Sequence, residues 1–517
     1  MNNNNFKILD CTLRDGGYYT LWDFENELVN TYFESFNHLP VHYLELGYRS
    51  PELEGYLGEF FYCPSYLLQQ IRKLSNKKLV VIINEKDIRP IHVDYLLEPC
   101  RGMIDMIRIA VDPNNFDRAL FLAEEIKKRN FEIGFNVMYM STWQENKQFL
   151  HEVSNVNGLA DYFYMVDSFG GVYPEDVRMI YGIIKEKVSS KIGFHGHNNL
   201  ELALINTLTA IECGVDIVDS TVTGMGRGAG NLKTELLLTV LNSKRKMEVE
   251  FNKLMQVVDS FTKLEGEYQW GTNMPYMVSG ANSLPQKNVM EWVSTRYYSF
   301  NSIIRALSNQ SKGLEDNRKL EKANLQSNSM ELALIIGGGP SGVKHSDSVF
   351  NFLSINENIP VIHASSKNAS CYNMVQNEQY FCLVGNEGYR LEKSFNSPIT
   401  QKVVCLLPPF PRKMGTYIPE TFEQNAYELE AVNFTDLYRD SHTALALQTA
   451  IELGVKEIFF VGYDGYGGAS LSQREQELFL ENEYLFNKVK ELGIKATSLT
   501  PTKYKNLYQD SIYAKLM

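Results

Sequence analysis

The stretch "KIGFHGHNNLELA", residues 191–203, runs from an apolar segment into two histidines one glycine apart, then into two asparagines. On a strand, side chains alternate between faces, so His195 and His197 point the same way. Imidazole is the commonest transition-metal ligand, and two on one face suit a metal. Two surface histidines at a strand end are the alternative reading, and the surrounding chain has to decide between them.

Outward from this stretch the same rhythm recurs. Short apolar runs stand at "FKILDCTL" (6–13), "HYLELGY" (42–48), "LVVIIN" (79–84), "MIRIAV" (106–111), "EIGFNVMYM" (132–140), "DYFYMVDS" (161–168), "KIGFHGH" (191–197) and "DIVDSTVTG" (216–224). Segments with helical spacing lie between them, among them "NNFDRALFLAEEIKKRN" and "EDVRMIYGIIKEKVSS". Alternating β and α implies a parallel sheet. Eight such units within about 240 residues match a (β/α)8 TIM barrel, and their regularity favours closure over an open doubly wound sheet. In such a barrel the chemistry sits at the C-terminal ends of the strands. There the sequence places "TLRDGG", "LELGYRS", "MVDSFGG", "FHGHNN" and "TGMGRGAGN". Helix capping explains one or two polar strand ends. It does not easily explain an Asp, an Arg, a Glu and two His on one mouth.

The expected site follows. Asp15, His195 and His197 bind one divalent metal and leave positions open for a chelating 2-oxo acid. The metal acts as a Lewis acid towards an enolate, and Arg14 donates hydrogen bonds to the same oxygen. Arg108 in "MIRIAV", with Asp167 and Ser168 in "MVDSFGG", are expected to bind substrate.

A chain of 517 residues is too long for one ordinary core. A net charge of -12 with no basic block argues against nucleic acid as the main partner. Apolar runs are too short for a membrane span, and "MNNNNFK" lacks the regions of a signal peptide. Seven scattered cysteines without a C-x-x-C pair suggest reduced thiols in the cytoplasm. The barrel is expected over 6–248. A helical, aromatic extension follows over 249–307 and a polar linker over 308–329. From 330 to 517 a second α/β domain begins with "ELALIIGGGPSG", a strand entering a glycine-rich turn, as in an open Rossmann-like sheet.

"DCTLRDGG", "DSFGGVYPEDV" and "HGHNNLELALINTLTAIECGVDIVDSTVTGMGRGAGN" resemble the metal-dependent barrel lyases and synthases that share a D-x-T-x-R-D signature. That superfamily includes 4-hydroxy-2-oxovalerate aldolase, 3-hydroxy-3-methylglutaryl-CoA lyase and 2-isopropylmalate synthase. The resemblance covers about residues 6 to 245 and implies metal ligation by Asp15, His195 and His197, with Arg14 on the enolate. Asn231 matches a position that ligates or neighbours the metal in some members. Glu45 matches an acidic residue at the end of strand two and joins the expected catalytic groups. Manganese or magnesium is implied, with zinc and cobalt as alternatives. "GMGRGAGN" resembles the aldolase version, whereas the synthases usually place Glu-Arg where this chain has Arg227-Gly228. In the aldolases the region after the barrel docks an aldehyde dehydrogenase, so such a dehydrogenase or a second copy of the chain is an expected partner. One position departs from the pattern. The aldolases carry a catalytic histidine three residues after the metal-binding Asp, where this chain has Tyr18. An unperturbed tyrosine is a poor base at neutral pH.

Residues 332 to 495 distantly resemble Rossmann-like domains of 6-hydroxymethylpterin pyrophosphokinase-like proteins and motility-associated glycosyltransferases, through "ALIIGGGPSG" and "GVKEIFFVGYDGYGG". This implies a nucleotide or nucleotide-sugar near Gly337, Gly338, Gly339, Ser341 and Asp464. The expected function is a carbon–carbon lyase joining or cleaving a 2-oxo acid and an aldehyde. The competing readings are a Claisen-type acyl-CoA synthase, a surface-glycan transferase with the barrel as accessory, and a non-enzymatic docking scaffold.

Overall fold

The computed structural model describes residues 5–294, 300–313, 318–325, 330–394, 403–412, 416–466 and 473–517. The chain divides into two compact units, Met1–Glu291 and Trp292–Met517. In the first, strands β1 (Lys7–Asp10), β2 (Tyr43–Tyr48), β3 (Lys78–Asn84), β4 (Met106–Val111), β5 (Glu132–Val137), β6 (Tyr162–Asp167), β7 (Lys191–Gly196) and β8 (Ile217–Ser220) form a closed parallel barrel. Closure is made by β1 pairing with β8, Leu9 opposite Asp219.

Alternation along each strand fills the barrel in layers. At the amino end Lys7 Nζ donates to the Tyr162 hydroxyl (2.9 Å) and the Tyr43 hydroxyl (3.2 Å). Above it Leu9, Val80, Met106, Tyr164 and Ile217 form an apolar plug. The plug is dense enough to require glycine opposite its largest member, since a Cβ on Gly193 would lie 2.4 Å from the Tyr164 ring. Two residues further along the strands the inward positions become polar: Glu45, Arg108, Asn136, His195 and Asp219, all nearly or fully buried.

The motif "TLRDGG" lies not on a strand but in the helix Thr12–Thr20. Asp10 makes that break. Its Oδ1 accepts from the Thr12 N–H (3.0 Å), the Thr12 hydroxyl (2.6 Å) and the Tyr32 hydroxyl (2.7 Å), and its Oδ2 accepts from the Thr234 hydroxyl (2.6 Å). The strand therefore ends in a buried polar knot that turns the next residues into a helix. Gly17 lets that helix close up, because a Cβ there would lie 2.1 Å from the Trp22 indole.

The second unit holds an eight-stranded parallel sheet of β9 (Leu332–Ile336), β10 (Val361–His363), β11 (Gln379–Cys382), β12 (Val403–Leu407), β13 (Ala426–Glu428), β14 (Glu457–Val461), β15 (Lys495–Ser498) and β16 (Tyr508–Gln509). The strand order is 13-12-11-10-9-14-15-16, so the direction of winding reverses between β9 and β14. Strands β13 and β16 are only three and two residues long. The boundary between the units falls within the helix Gln286–Ser294, and the helix Phe300–Ser311 belongs to the second unit. There Arg305 lies over the Tyr417 ring at 5.1 Å, and Lys322 pairs with Glu428.

The Asp10 knot generates a prediction. Burial is the largest influence on its carboxyl and pushes it up to about 6, against the pull of the Thr12, Thr234 and Tyr32 hydrogen bonds. A carboxyl raised in the folded state contributes stability that is present below its unfolded value near pH 4 and lost as pH rises through about 6. Melting temperature between pH 4 and 7 is expected to fall with Asp10 present and to flatten in Asp10→Asn. Asp10→Ala, which strands three hydroxyls, is expected to cost about 3 kcal/mol in urea denaturation.

Candidate active site

Above the polar layer, at the carboxyl ends of the strands, a cavity of about 620 Å³ opens. Arg14, Asp15, Tyr18, Tyr48, His195, His197 and Arg227 line it. The helix Thr12–Thr20 delivers Arg14 and Asp15 from the end of β1, and β7 delivers the two histidines. The helix carries its motif inward because Asp10 fixes its first turn and Trp22 Nε1 donates to the Arg14 carbonyl (2.9 Å).

Both imidazoles are oriented by their Nδ1 atoms. His195 Nδ1 bonds Asp219 Oδ2 at 2.9 Å, and His197 Nδ1 donates to the Asp167 carbonyl at 2.8 Å. This pairing directs both Nε2 atoms away from the strand, as in metal-ligating histidines held by a carboxylate or carbonyl. The His195 Nε2 lies 3.8 Å from Asp15 Oδ2, and the two rings stand 5.0 Å apart. Burial and the neighbouring His195 push His197 down to about 3, so it is a neutral donor. Burial pushes Asp15 up, but Arg14, His195, His197 and Asn231 together hold it below the usual carboxylate range. Asn231 Nδ2 donates to Asp15 Oδ2 (2.7 Å), while its Oδ1 is buried with no partner among the described residues. An orphaned acceptor beside a carboxylate and two imidazoles is a donor set that could hold a divalent cation. Cys11 also reaches the group, with Cys11, Asp15 and His195 offering atoms within 4.8 Å of one another. Burial and the Asp15 charge keep its thiol protonated, and it donates weakly to Asp15 (3.7 Å).

Beneath the mouth runs a chain of ion pairs. Arg14 pairs with Asp15, and its Nε donates to Glu45 Oε2 at 2.8 Å. Arg108 Nη1 reaches the same Glu45 oxygen at 3.3 Å. Its Nη2 donates to Asp219 Oδ2 at 2.6 Å, and its Nε to Asn136 at 2.6 Å. Arg108 is fully buried with its guanidinium 4.0 Å from the Tyr164 ring, so the structure places it under the cavity, between two carboxylates. Glu45 lies there too, joined to both arginines. Asp167 is engaged by the Gly171 and Val172 N–H groups, and Ser168 lines the cavity and accepts from the Tyr139 N–H at 2.9 Å. Tyr139 itself adopts a left-handed φ of 62° and stacks on Phe169, an arrangement of the kind that gathers at functional sites. Tyr18 faces the cavity with its hydroxyl 3.0 Å from that of Tyr48.

Sequence reasoning missed Asp219, Tyr48 and Arg227 as parts of this site. Asp219 is found only through the register: Gly193 pairs with Ile217, so two residues further on His195 and Asp219 share the inner face of neighbouring strands.

In the second unit, Gly337, Gly338 and Gly339 follow β9, and Asp464 follows β14, at the reversal of winding. The Gly337 N–H donates to the Val461 carbonyl (2.8 Å) and the Gly339 N–H to the Gly462 carbonyl (2.9 Å). Asp464 accepts from the Ser341 N–H (3.2 Å) and hydroxyl (2.9 Å).

A closed β/α barrel with an arginine, a carboxylate and two oriented imidazoles in one mouth defines an enzyme of the lyase and aldolase class. Comparison with known proteins agrees. The pattern of the HMGL-like family matches residues 107–260. The chain is 30% identical over 273 residues to a 4-hydroxy-2-oxovalerate aldolase of Pelotomaculum thermopropionicum, covering 50% of this chain and 76% of that protein. It is 26% identical to an oxaloacetate decarboxylase of Mycobacterium tuberculosis, over 46% of this chain and 70% of that one. A crystal structure of the N-terminal domain of a candidate aldolase from Bacteroides vulgatus is 53% identical, with a TM-score of 0.56, covering 58% of this chain and all of that one. The chain belongs to the HMGL-like family.

The ion-pair chain is testable without substrate. Removing one partner of a buried pair leaves an uncompensated charge, at a cost of about 3–5 kcal/mol. Arg108→Met is expected to lose stability of that order in urea denaturation, and Arg108→Lys to recover only part of it. A loss below about 1 kcal/mol would show that the network is not a structural dependency.

Proposed function

We propose that the barrel is a divalent-cation-dependent aldolase that forms or cleaves a 4-hydroxy-2-oxo acid by way of a pyruvate-type enolate. The observation that carries this reading is the meeting of Asp15, two histidines oriented through Nδ1, and Arg14 in one cavity. Asp15, His195 and His197 would hold the cation, with Asn231 Oδ1 beside them. Manganese or magnesium suits the oxygen donors, while zinc or cobalt suits the imidazoles. When bound, such a cation supplies Lewis-acid stabilisation of an enolate.

The chain's own groups do the rest. Arg14 is held on one side by Asp15 and on another by Glu45, and its Nη2 has no partner among the described residues. That nitrogen is placed to donate to the enolate oxygen. Tyr18 supplies the proton for the aldehyde oxygen in the forming direction and receives it in the cleaving direction. Burial holds Tyr48 well above the usual tyrosine range, so Tyr48 keeps its proton, and its hydroxyl lies 3.0 Å from that of Tyr18. With Tyr48 as the donor of that bond, the Tyr18 proton is free for the cavity, in the role that histidine plays in the aldolases this chain resembles.

The oxaloacetate decarboxylase among the relatives favours a second reading, in which the same enolate arises by loss of carbon dioxide. Deuterium exchange into the methyl group of pyruvate, followed by proton NMR, tests the enolate common to both. Exchange is expected with Mn²⁺ or Mg²⁺, and is expected to disappear with chelator and in Asp15→Asn. No exchange by folded, cation-loaded protein would remove both readings. Tyr18→Phe then separates them: aldol turnover is expected to fall about 100-fold, while decarboxylation, which has no aldehyde oxygen to protonate, would be spared.

For the second unit we propose a nucleotide or nucleotide-sugar in the crevice where the winding reverses, the usual position for ligands in open α/β sheets. Asp464 already caps the turn after β9, which favours a ligand that reaches the crevice through its sugar hydroxyls. A rise in the melting temperature of the full chain is expected with such ligands, and no shift across a panel of them would dispose of the proposal. No helix among the described residues is long and apolar enough to cross a membrane. All seven cysteines are free.

A further inference from the structure

At the inner end of the cavity the Arg14 guanidinium is joined to the Asp15 and Glu45 carboxylates. The cations of the outer wall have no such partners. Arg227 lines the cavity with its guanidinium 4.9 Å from the Tyr18 ring. Lys287, from the helix Gln286–Ser294, lines the same space. Among the described residues no carboxylate pairs with either. Besides Asp15, the acid lining this cavity is Asp112, and its Oδ1 accepts the Asn114 N–H (2.9 Å).

Arg227 is held in place by its loop. Its carbonyl accepts the Gly230 N–H (3.1 Å). Gly230 stands at φ +76°, with no room for a Cβ, which would lie 2.2 Å from the Gly224 carbonyl oxygen. A guanidinium stacked on an aromatic face keeps its planar fork of N–H donors free for a ligand. That fork adjoins the ring whose hydroxyl is proposed above to protonate the aldehyde. A half-buried, pre-positioned arginine with no protein anion, backed by a lysine, is the arrangement that recognises a carboxylate or a phosphate.

We propose that the acceptor aldehyde carries an anionic group, carboxylate or phosphate, bound by Arg227 with Lys287, so that the enzyme selects acid or phosphorylated aldehydes over neutral ones. This rests on the aldolase reading of the same cavity and specifies its second substrate.

Two measurements on the full-length, Mn²⁺-loaded protein test it. The first compares kcat/KM, with pyruvate as partner, for succinic semialdehyde against butyraldehyde and for glyceraldehyde 3-phosphate against glyceraldehyde. At least one anionic member is expected to be preferred by about 10- to 100-fold, and which pair shows it distinguishes carboxylate from phosphate. Arg227→Met, which keeps an apolar stem over Tyr18, is expected to collapse that ratio, and Lys287→Met to lower it less. Equal use of neutral and anionic aldehydes, or a ratio unchanged in Arg227→Met, would overturn the proposal. The second measurement needs no turnover. Calorimetric titration of succinate and of inorganic phosphate, with oxalate occupying the 2-oxo acid position, is expected to detect binding that Arg227→Met weakens at least 10-fold. Binding that is absent, or the same in the variant, counts against the anion site. Failure of pyruvate exchange with anion binding intact would instead count against the aldolase reading.

Discussion

The site depends on Arg108. Its guanidinium is sealed inside the barrel, with Asp219 on one arm, Glu45 on another and Asn136 on Nε. Two of those contacts act at a distance. Asp219 turns His195 by its Nδ1, and Glu45 holds Arg14 by its Nε. One buried cation therefore ties the imidazole and the arginine of the mouth to a common floor. Burial alone would lower the Arg108 value, but Asp219 and Glu45 reverse that and hold it above its ordinary range, so the charge is permanent. A guanidinium suits this position better than an ammonium, because its planar fork can serve two carboxylates and an amide at fixed angles. The cost of burying the charge is offset by rigidity where the chemistry needs fixed dipoles.

The barrel was legible because strand alternation is local. All eight runs fell on strands, since apolar periodicity and the turns between survive in any tertiary setting. What was not legible required knowing neighbours. The run 6–13 reads as one strand, yet β1 stops at Asp10, because the carboxylate collects hydroxyls from Tyr32 and Thr234, far along the chain. Likewise "EIGFNVMYM" looks continuous, but Tyr139 leaves the strand in a left-handed conformation to stack on Phe169. Asp219 in "DIVDS" reads as a strand residue among others until the register with β7 places it beside His195. Arg108 reads as a ligand-binding cation at a strand end, and only the packed interior reveals two carboxylates already waiting for it.

The second unit repeats the lesson with a different balance. Its long strands were readable, and the topology adds what their pattern could not: the two glycine-bearing turns are brought together where the winding reverses. Close approach explains the glycines there. A Cβ on Gly339 would lie 2.1 Å from Asp464 Oδ2, so the turn after β9 and the turn after β14 can nest only without side chains.

The two levels of the barrel mouth are joined by the same ion pairs. Arg14 is shared by Asp15 and Glu45, Arg108 by Glu45 and Asp219, and the His195 imidazole lies between Asp15 and Asp219. Burial pushes Asp15 and Asp219 up, yet both are held below the usual carboxylate range, Asp15 chiefly by Arg14 and Asp219 chiefly by Arg108, with His195 acting on both. Removing either guanidinium would strand a carboxylate in a low-dielectric interior, which is costly. The mouth and its floor are therefore one electrostatic unit, and a change at Arg108 is felt at the imidazole and the carboxylate that face the cavity.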